Sequence, residues 1–278
     1  MWEKKRVYIL VKTYPTISKE YSELVCTAGL LEDGSWIRLY PVPFRKLQIE
    51  QQYPKYTWTE LEAKRNISDF RLETYRPRLD SIKPGNRAPK ADWDVRRRII
   101  LGKTPVYTDM TKLISNAKDK TKPVSLAIFK PTELIDFTIE EDARDWDPNT
   151  LSILKNLSMQ QNLFQTPEEI ENEFKLVNKV PYKFSYVFKD CNGRQSKLMI
   201  EDWEVGMLYF HCLTSAGGDE AIATQKVKEK YFDYYKTMDL HFFLGTTLQW
   251  HYTAKNPFII IGTFAPPCLR GAEQLSLI

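Results

Sequence analysis

Apolar and polar positions alternate, or gather into short β-branched runs, at both ends of this chain, which is the pattern of strands rather than helices. Arg6 to Tyr14 is the first such run. Glu23 to Leu31 and Trp36 to Tyr40 are the next two, and they flank Glu32-Asp33-Gly34-Ser35. An Asp-Gly pair between two apolar runs predicts a hairpin. Pro41 and Pro43 are expected to end the third strand, because proline removes a ladder donor. Tyr56 to Lys64 alternates Thr57, Thr59 and Leu61 with Trp58, Glu60 and Glu62 and predicts a further strand. Near the other end, Tyr182 to Lys189 places Phe184, Tyr186 and Phe188 on one face, Asn192-Gly193 marks a turn, and Lys197 to Ile200 returns as the partner. His241 to Leu244 and Phe258 to Phe264 read as two late strands, with Leu244-Gly245-Thr246-Thr247 as a turn.

Between these ends the pattern changes. Phe44 to Gln52 and Thr108 to Ala117 fit short helices, and Val124 to Phe129 and Leu134 to Ile139 fit strands. Asn149 is placed to cap a helix reaching Gln161, with Leu151, Ile153, Leu154 and Leu157 at helical spacing. Thr166-Pro167-Glu168-Glu169 carries the signals of another helix start. Asp202 or Glu201 can cap a helix from Trp203 to Leu213, and Gly217-Gly218-Asp219 separates it from a second, about Glu220 to Met238. Asn66 to Lys90, with Pro77, Pro84, Gly85 and Pro89, is expected to be a long extended loop, and loops of that length are uncommon unless functional or disordered. The fold class is α+β. The expected organisation is a β-rich N-terminal module with a basic loop and an acidic helical segment over residues 1–178, and a C-terminal β-hairpin and helix module over residues 179–278.

At 278 residues, 42% of them hydrophobic and 13% aromatic, the chain can bury a sizeable core in one large domain or two smaller ones. Its longest apolar runs, such as Phe258 to Ile261, fall far short of the roughly 20 residues a bilayer requires. No signal or transit peptide is visible, so a cytoplasmic protein is expected. Cys26, Cys191, Cys212 and Cys268 are scattered, which suits free thiols in a reducing compartment. The charge is uneven: residues 41–130 carry about +10 and residues 131–176 about −8. The two segments could neutralise each other in the fold, or the basic one could meet an acidic partner.

The candidate chemistry follows from that asymmetry. Asp69 to Arg78 holds Arg71, Arg76 and Arg78 together with Phe70 and Tyr75, and Trp93 precedes Arg96, Arg97 and Arg98. Guanidinium groups grip phosphates in bidentate fashion and rings stack on exposed bases, so this combination suits a nucleic-acid surface. The competing reading pairs these arginines with Asp69, Glu73, Asp92, Asp94 or the acidic segment. Glu201-Asp202-Trp203-Glu204 offers carboxylates that could hold a divalent cation in a nuclease, although helix capping explains them as well. His211, His241 and His251 have no metal-ligand spacing with the cysteines, no phosphate loop or dinucleotide fingerprint is present, and no metal or cofactor is expected.

Several stretches resemble an uncharacterised family of bacterial proteins associated with mobile elements and antiviral defence loci. They are Leu24 to Gly29, Ser35 to Pro41, Arg71 to Pro77, Glu201 to Glu204, and Leu244 to Thr246 with Ile260 to Phe264. Some relatives carry a Cys/His cluster just before the Asp-Trp-Glu segment. This chain keeps Cys191 there but has Gln195, Ser196 and Lys197 nearby, so it is not expected to bind zinc at that place. The resemblance implies a setting and no particular reaction. The expected function is a nucleic-acid-binding or sensing subunit without catalysis of its own, contacting DNA or RNA through Arg71, Tyr75, Arg76, Arg78, Trp93, Arg96, Arg97 and Arg98 and working with a separate nuclease or ATPase. The alternatives are a metal-dependent nuclease using Asp202 and Glu204, and a protein-interaction module.

Overall fold

A computed structural model describes residues 1–18, 22–87, 92–161 and 176–269. The N-terminal strands are β1 (Glu3–Lys12), β2 (Thr16–Ser18), β3 (Ser22–Leu30), β4 (Trp36–Val42), β5 (Thr57–Arg65), β6 (Thr74–Pro77) and β7 (Lys83–Arg87). They close into a ring. β1 pairs antiparallel with β3 on one edge and β5 on the other, β3 pairs with β4, β4 with β6 in parallel, and β6 returns to β5. β2 and β7 extend β3 and β5 outside the ring. Val7, Ile9, Ile37, Leu39, Leu61 and Ala63 fill one core at this end. The opposite face of β1 and β3 supplies Tyr8, Leu10, Ala28 and Leu30 to a second core. With both faces covered, Val7 to Val11 is buried without interruption, and its sequence is a continuous apolar run rather than an alternating one.

The remaining elements are α1 (Trp93–Leu101), β8 (Val106–Tyr107), α2 (Met110–Ala117), β9 (Leu126–Phe129), β10 (Glu133–Glu141), α3 (Pro148–Gln161), β11 (Tyr182–Lys189), β12 (Gln195–Met199), α4 (Trp203–Ser215), α5 (Glu220–Lys228), β13 (His241–Thr246) and β14 (Phe258–Phe264). One sheet runs β14-β13-β9-β8 and a second β10-β11-β12. Aromatic rings join them: Phe129 lies 5.5 Å from Phe188, and Phe242 lies 4.9 Å from Tyr186. Tyr209 of α4 and Tyr231 beyond α5 pack on the β10–β11 pair through Phe184 and Phe137. Leu126, Ile128, Phe243 and Ile261 of the first sheet meet Tyr8, Leu10, Ala28 and Leu30 in the second core. The α+β class holds, with strands dominating the N-terminal part and strands and helices mixed in the C-terminal part.

Several expectations are corrected. Asn66 to Lys90 is not one loop, because it contains β6 and β7; Pro77 sits at the last position of β6 and Pro84 in the outlying β7, where a missing donor is tolerated, and Pro89 lies outside the described residues. β4 continues through Pro41 to Val42, which pairs with Val25. Phe44 to Gln52 forms two single 3-10 turns rather than a helix. β13 includes Gly245 and Thr246. The expected helix from Glu220 to Met238 leaves α-helical geometry after Lys228 and continues as a wider π turn to Tyr234. The point near residue 178 falls between β10 and β11, which are paired along their whole length. The helix start expected at Thr166 lies outside the described residues. No helix among the described residues is long and apolar enough to cross a membrane.

The acidic segment does not neutralise the basic one among the described residues. Among the described residues, Glu133 pairs with Lys189, Glu140 with Lys197, Asp142 with Lys179 and Lys183, and Asp136 with Lys228. Those lysines all lie at or beyond residue 179, and Lys183 and Lys189 are within reach because β10 lies beside β11 in the sheet.

Candidate nucleic-acid interface

The arginines singled out in the sequence separate into different environments. Arg71 is buried: its Nε and Nη2 donate to Asp69 at 2.9 and 2.5 Å, and its Nη1 donates to the Thr246 carbonyl at 2.6 Å. Arg97 is buried on α1, where it pairs with Asp239 at 2.6 Å and donates to the Pro267 carbonyl. Arg96, also buried, lies 4.4 Å from the Tyr56 ring and 5.1 Å from the half-buried Trp93 ring. Arg78 pairs with Glu62 at 2.5 Å and covers Trp2, and Tyr75 is half-buried beneath Lys5. Arg76 and Arg98 are exposed. Helical spacing explains the split on α1: two successive arginines face inward and the third points to water.

Arg71 and Arg76 belong to a site that the sequence did not reveal. A cavity of about 400 Å3 opens between β3, β4, the segment before β6, and the ends of β13 and β14. Arg38 and Arg71 form part of its wall, with Cys26, Tyr40, Ser68, Asp69, Arg76, Glu201, Thr246 and Leu248 around them. Every stretch that carried the family resemblance contributes to this one place. Arg38 is 2% exposed. It donates to the Ser125 hydroxyl at 2.8 Å, the Ser125 carbonyl at 3.1 Å and the Thr74 hydroxyl at 3.3 Å, all neutral groups. Glu73 is spent on Ser125, whose hydroxyl and backbone N–H it accepts at 2.7 and 3.1 Å. Arg38 therefore carries a buried charge without a carboxylate in contact among the described residues, and burial together with the neighbouring Arg71 lowers its pKa. Burial raises the pKa of the Cys26 thiol against the pull of Arg38, and burial alone raises that of the Glu201 carboxyl. An arginine in the middle of the apolar run Trp36-Ile37-Arg38-Leu39 was the sequence signal for this site, since arginine is seldom fully buried without a reason.

Beside the cavity, the loop joining β13 to β14 presents Leu248, Trp250 and Tyr252 to solvent at 47%, 54% and 37% exposure. Tyr252 stacks on the exposed ring of Phe70 at 4.7 Å. His251 fixes this arrangement from below. It is fully buried, meets both rings edge-on at 4.9 and 4.6 Å, and lies 2.6 Å from the Ala117 carbonyl and 2.7 Å from the Thr246 hydroxyl. A carbonyl only accepts, so Nε2 carries the proton and Nδ1 accepts from Thr246. Burial lowers the His251 pKa, favouring this neutral form. The contact to Ala117 also brings the end of α2 alongside, where Lys118, Lys120 and Lys122 are exposed. Aromatic faces, lysines and an arginine-walled cavity thus share one region.

Asp202 serves as the cap expected of it. Its Oδ1 accepts from the Glu204 N–H at the start of α4. Its Oδ2 lies 3.6 Å from Lys55, which also meets Glu204 at 2.9 Å. The space between the two carboxylates is thus taken by an ammonium group from the segment before β5. Burial pushes the Asp202 carboxyl up to about 6, opposed by Lys55. Cys191 and His211 are exposed, His241 is buried, and no group of three or more metal-ligating side chains gathers among the described residues.

Residues 3–102 match the family described as Domain of unknown function (DUF8758), and residues 106–278 match the family described as Domain of unknown function (DUF8757). The second match covers well over half of the chain, and the chain belongs to that family. No curated protein matches it.

Proposed function

We propose that this member of an uncharacterised family binds single-stranded nucleic acid, as a recognition or sensing subunit, through the surface around the Arg38–Arg71 cavity. The observation that carries the reading is the exposed stack of Phe70 on Tyr252, with Trp250 on the same loop, set beside both the cavity and the Lys118–Lys122 turn. Stacking rings bind bases of any identity, and exposed cations follow the backbone. Of the arginines expected to make the contact, Arg76 remains on this surface. Arg71 acts from the cavity wall, while Arg96 and Arg97 support the fold. A bacterial defence or mobile-element setting, with a separate nuclease or ATPase supplying catalysis, suits such a subunit.

Fluorescence anisotropy with labelled single- and double-stranded DNA and RNA tests the reading. Single strands should bind more tightly than duplex. Replacing Trp250 or Tyr252 by alanine should cost about 1–3 kcal/mol of binding. Replacing Lys118, Lys120 and Lys122 by glutamine should weaken binding uniformly across sequences. It should also flatten the plot of log affinity against log salt by about 0.7 for each phosphate no longer neutralised. Salt-independent binding, or none, would sink the reading.

A further inference from the structure

We propose that the cavity walled by Arg38 and Arg71 is a binding site for a nucleotide phosphate monoester. The proposal deepens the nucleic-acid reading and rests on it for the choice of nucleotides.

Charge is the first argument. Arg71 is balanced by Asp69. Arg38 is 2% exposed and is held by neutral hydroxyl, carbonyl and thiol groups, and Arg76 stands exposed at the same cavity. Up to two positive charges are thus left over on the arginines of the wall, with the Glu73 carboxylate acting on Arg38 only through space and the shared Ser125 hydroxyl. Burying a charge without a counterion is costly, and a polar cavity beside it is where a counterion can enter. A phosphate monoester carries close to two negative charges near neutral pH, about −1.5 to −2, and matches that excess. A phosphodiester carries one. The remaining acid in the wall, Glu201, makes no side-chain hydrogen bond or ion pair among the described residues, and burial raises its pKa.

Shape and lining are the second argument. The cavity holds about 400 Å3, within the range of roughly 300–1,000 Å3 typical of small-molecule sites and far more than a bare phosphate needs. Its walls are not uniformly polar. Ser68 and Thr246 lie with the arginines, whereas Tyr40, Leu248, Ile259 and Ile261 provide apolar surface suited to a sugar and base. Guanidinium groups recognise the terminal oxygens of a monoester in bidentate geometry. Leu248 belongs to both the cavity wall and the aromatic loop, so a strand lying on Tyr252 and Phe70 could deliver its end into the cavity. The same chemistry is offered by a free nucleoside monophosphate and by the phosphorylated end of a strand.

The test uses the whole purified chain and three kinds of probe: inorganic phosphate, adenosine monophosphate, and short single strands that are 5′-phosphorylated, 3′-phosphorylated or hydroxyl at both ends. Titration calorimetry and competition anisotropy give the affinities. At least one phosphorylated strand should bind about tenfold or more tighter than its hydroxyl counterpart, because charge-assisted hydrogen bonds are the strong ones. Adenosine monophosphate should displace it and inorganic phosphate should do so weakly. Arg38→Met should abolish the preference for phosphate. Because Arg38 is buried and its loss could unfold the chain, Arg76→Gln is the second variant, expected to retain the melting temperature and reduce the preference several-fold. Strands that bind regardless of their ends, with no binding of the monophosphate, would overturn the cavity proposal and leave the strand-binding reading intact. Binding of the monophosphate without binding of any strand would uphold the cavity as a free-nucleotide site and overturn the strand-binding reading.

Discussion

Lys55 shows how a single residue can carry a charge cluster. It is 3% exposed and its ammonium holds two carboxylates, one of them on the fully buried Asp202. An acid whose folded pKa is raised binds more protons folded than unfolded, so stability falls as pH rises from its ordinary 3.8 towards about 6 and levels off above that. Lys55→Met removes the opposing pull of its ammonium, so the decline should continue above pH 6 and reach about 3–5 kcal/mol at pH 8, measured by urea unfolding across pH. A flat pH profile for the variant would show that Asp202 ionises in the fold as readily as in the unfolded chain, and that Lys55 is not what lets it ionise. The same residue caps α4, so Asp202→Ala should be about 1 kcal/mol less stable than Asp202→Asn, whose amide oxygen can still accept the Glu204 N–H. His251 works in the opposite sense. Its pKa lies below the ordinary 6.5, so its contribution is complete above that pH and is lost as pH falls through the window below it. Nitrogen-detected NMR should show a neutral ring, protonated on Nε2, still present at pH 6. A titration midpoint at or above 6.5 would contradict the buried geometry.

At the scale of elements, local pattern and non-local packing account for what the sequence did and did not disclose. β11 and β14 were legible to the residue, β3 and β5 to within one residue at each end, and β1 only to within three, because an apolar alternation or run bounded by turns specifies them directly. The Asp33-Gly34 hairpin was legible because Gly34 needs a positive φ, here +84°, and glycine supplies it. β6 and β7 were not, because they are short and proline-bearing, and their partners β4 and β5 supply the pairing that their own sequences do not announce. The cavity was illegible for a related reason: its residues come from seven separate segments, and a single sequence contains no cue that Arg38 lies near Arg71. Gly29 illustrates a requirement set by pairing alone. It faces Ile9 across β1 and β3, and a Cβ there would stand 2.3 Å from the Tyr8 carbonyl oxygen and 2.7 Å from a Val7 methyl. The neighbour is backbone and cannot turn aside. Gly29→Ala should therefore cost about 1–3 kcal/mol or more, with unchanged denaturant dependence, because the loss is local overpacking. A neutral outcome would mean that the β1–β3 register is looser than it looks.

The whole molecule is held together by a core that neither family-matched segment owns. Tyr8, Leu10, Ala28, Leu30 and Ile100 come from within residues 3–102, and Leu126, Ile128, Phe243, Ile261 and Phe264 from within residues 106–278. All are at most 4% exposed, so separating the segments would put this entire layer into water. Each leucine, isoleucine or phenylalanine among them is worth about 1.5–3 kcal/mol when fully buried, and their sum is as large as the roughly 5–15 kcal/mol of net stability typical of a domain. The ring of β1, β3, β4, β6 and β5 thus closes its own backbone hydrogen bonds but not its hydrophobic surface. Arg71 adds a polar tie between the segments through the Thr246 carbonyl, and Arg97 another through Asp239. The chain should accordingly unfold in one calorimetric transition, with van't Hoff and calorimetric enthalpies equal. Residues 1–105 produced alone should bind a hydrophobic dye and lack a cooperative melt. Two resolved transitions for the whole chain, or a fragment that melts sharply within a few degrees of it, would show that the shared layer is an interface between independent domains, and the cavity that spans it would then be a cleft between them rather than a site built into one fold.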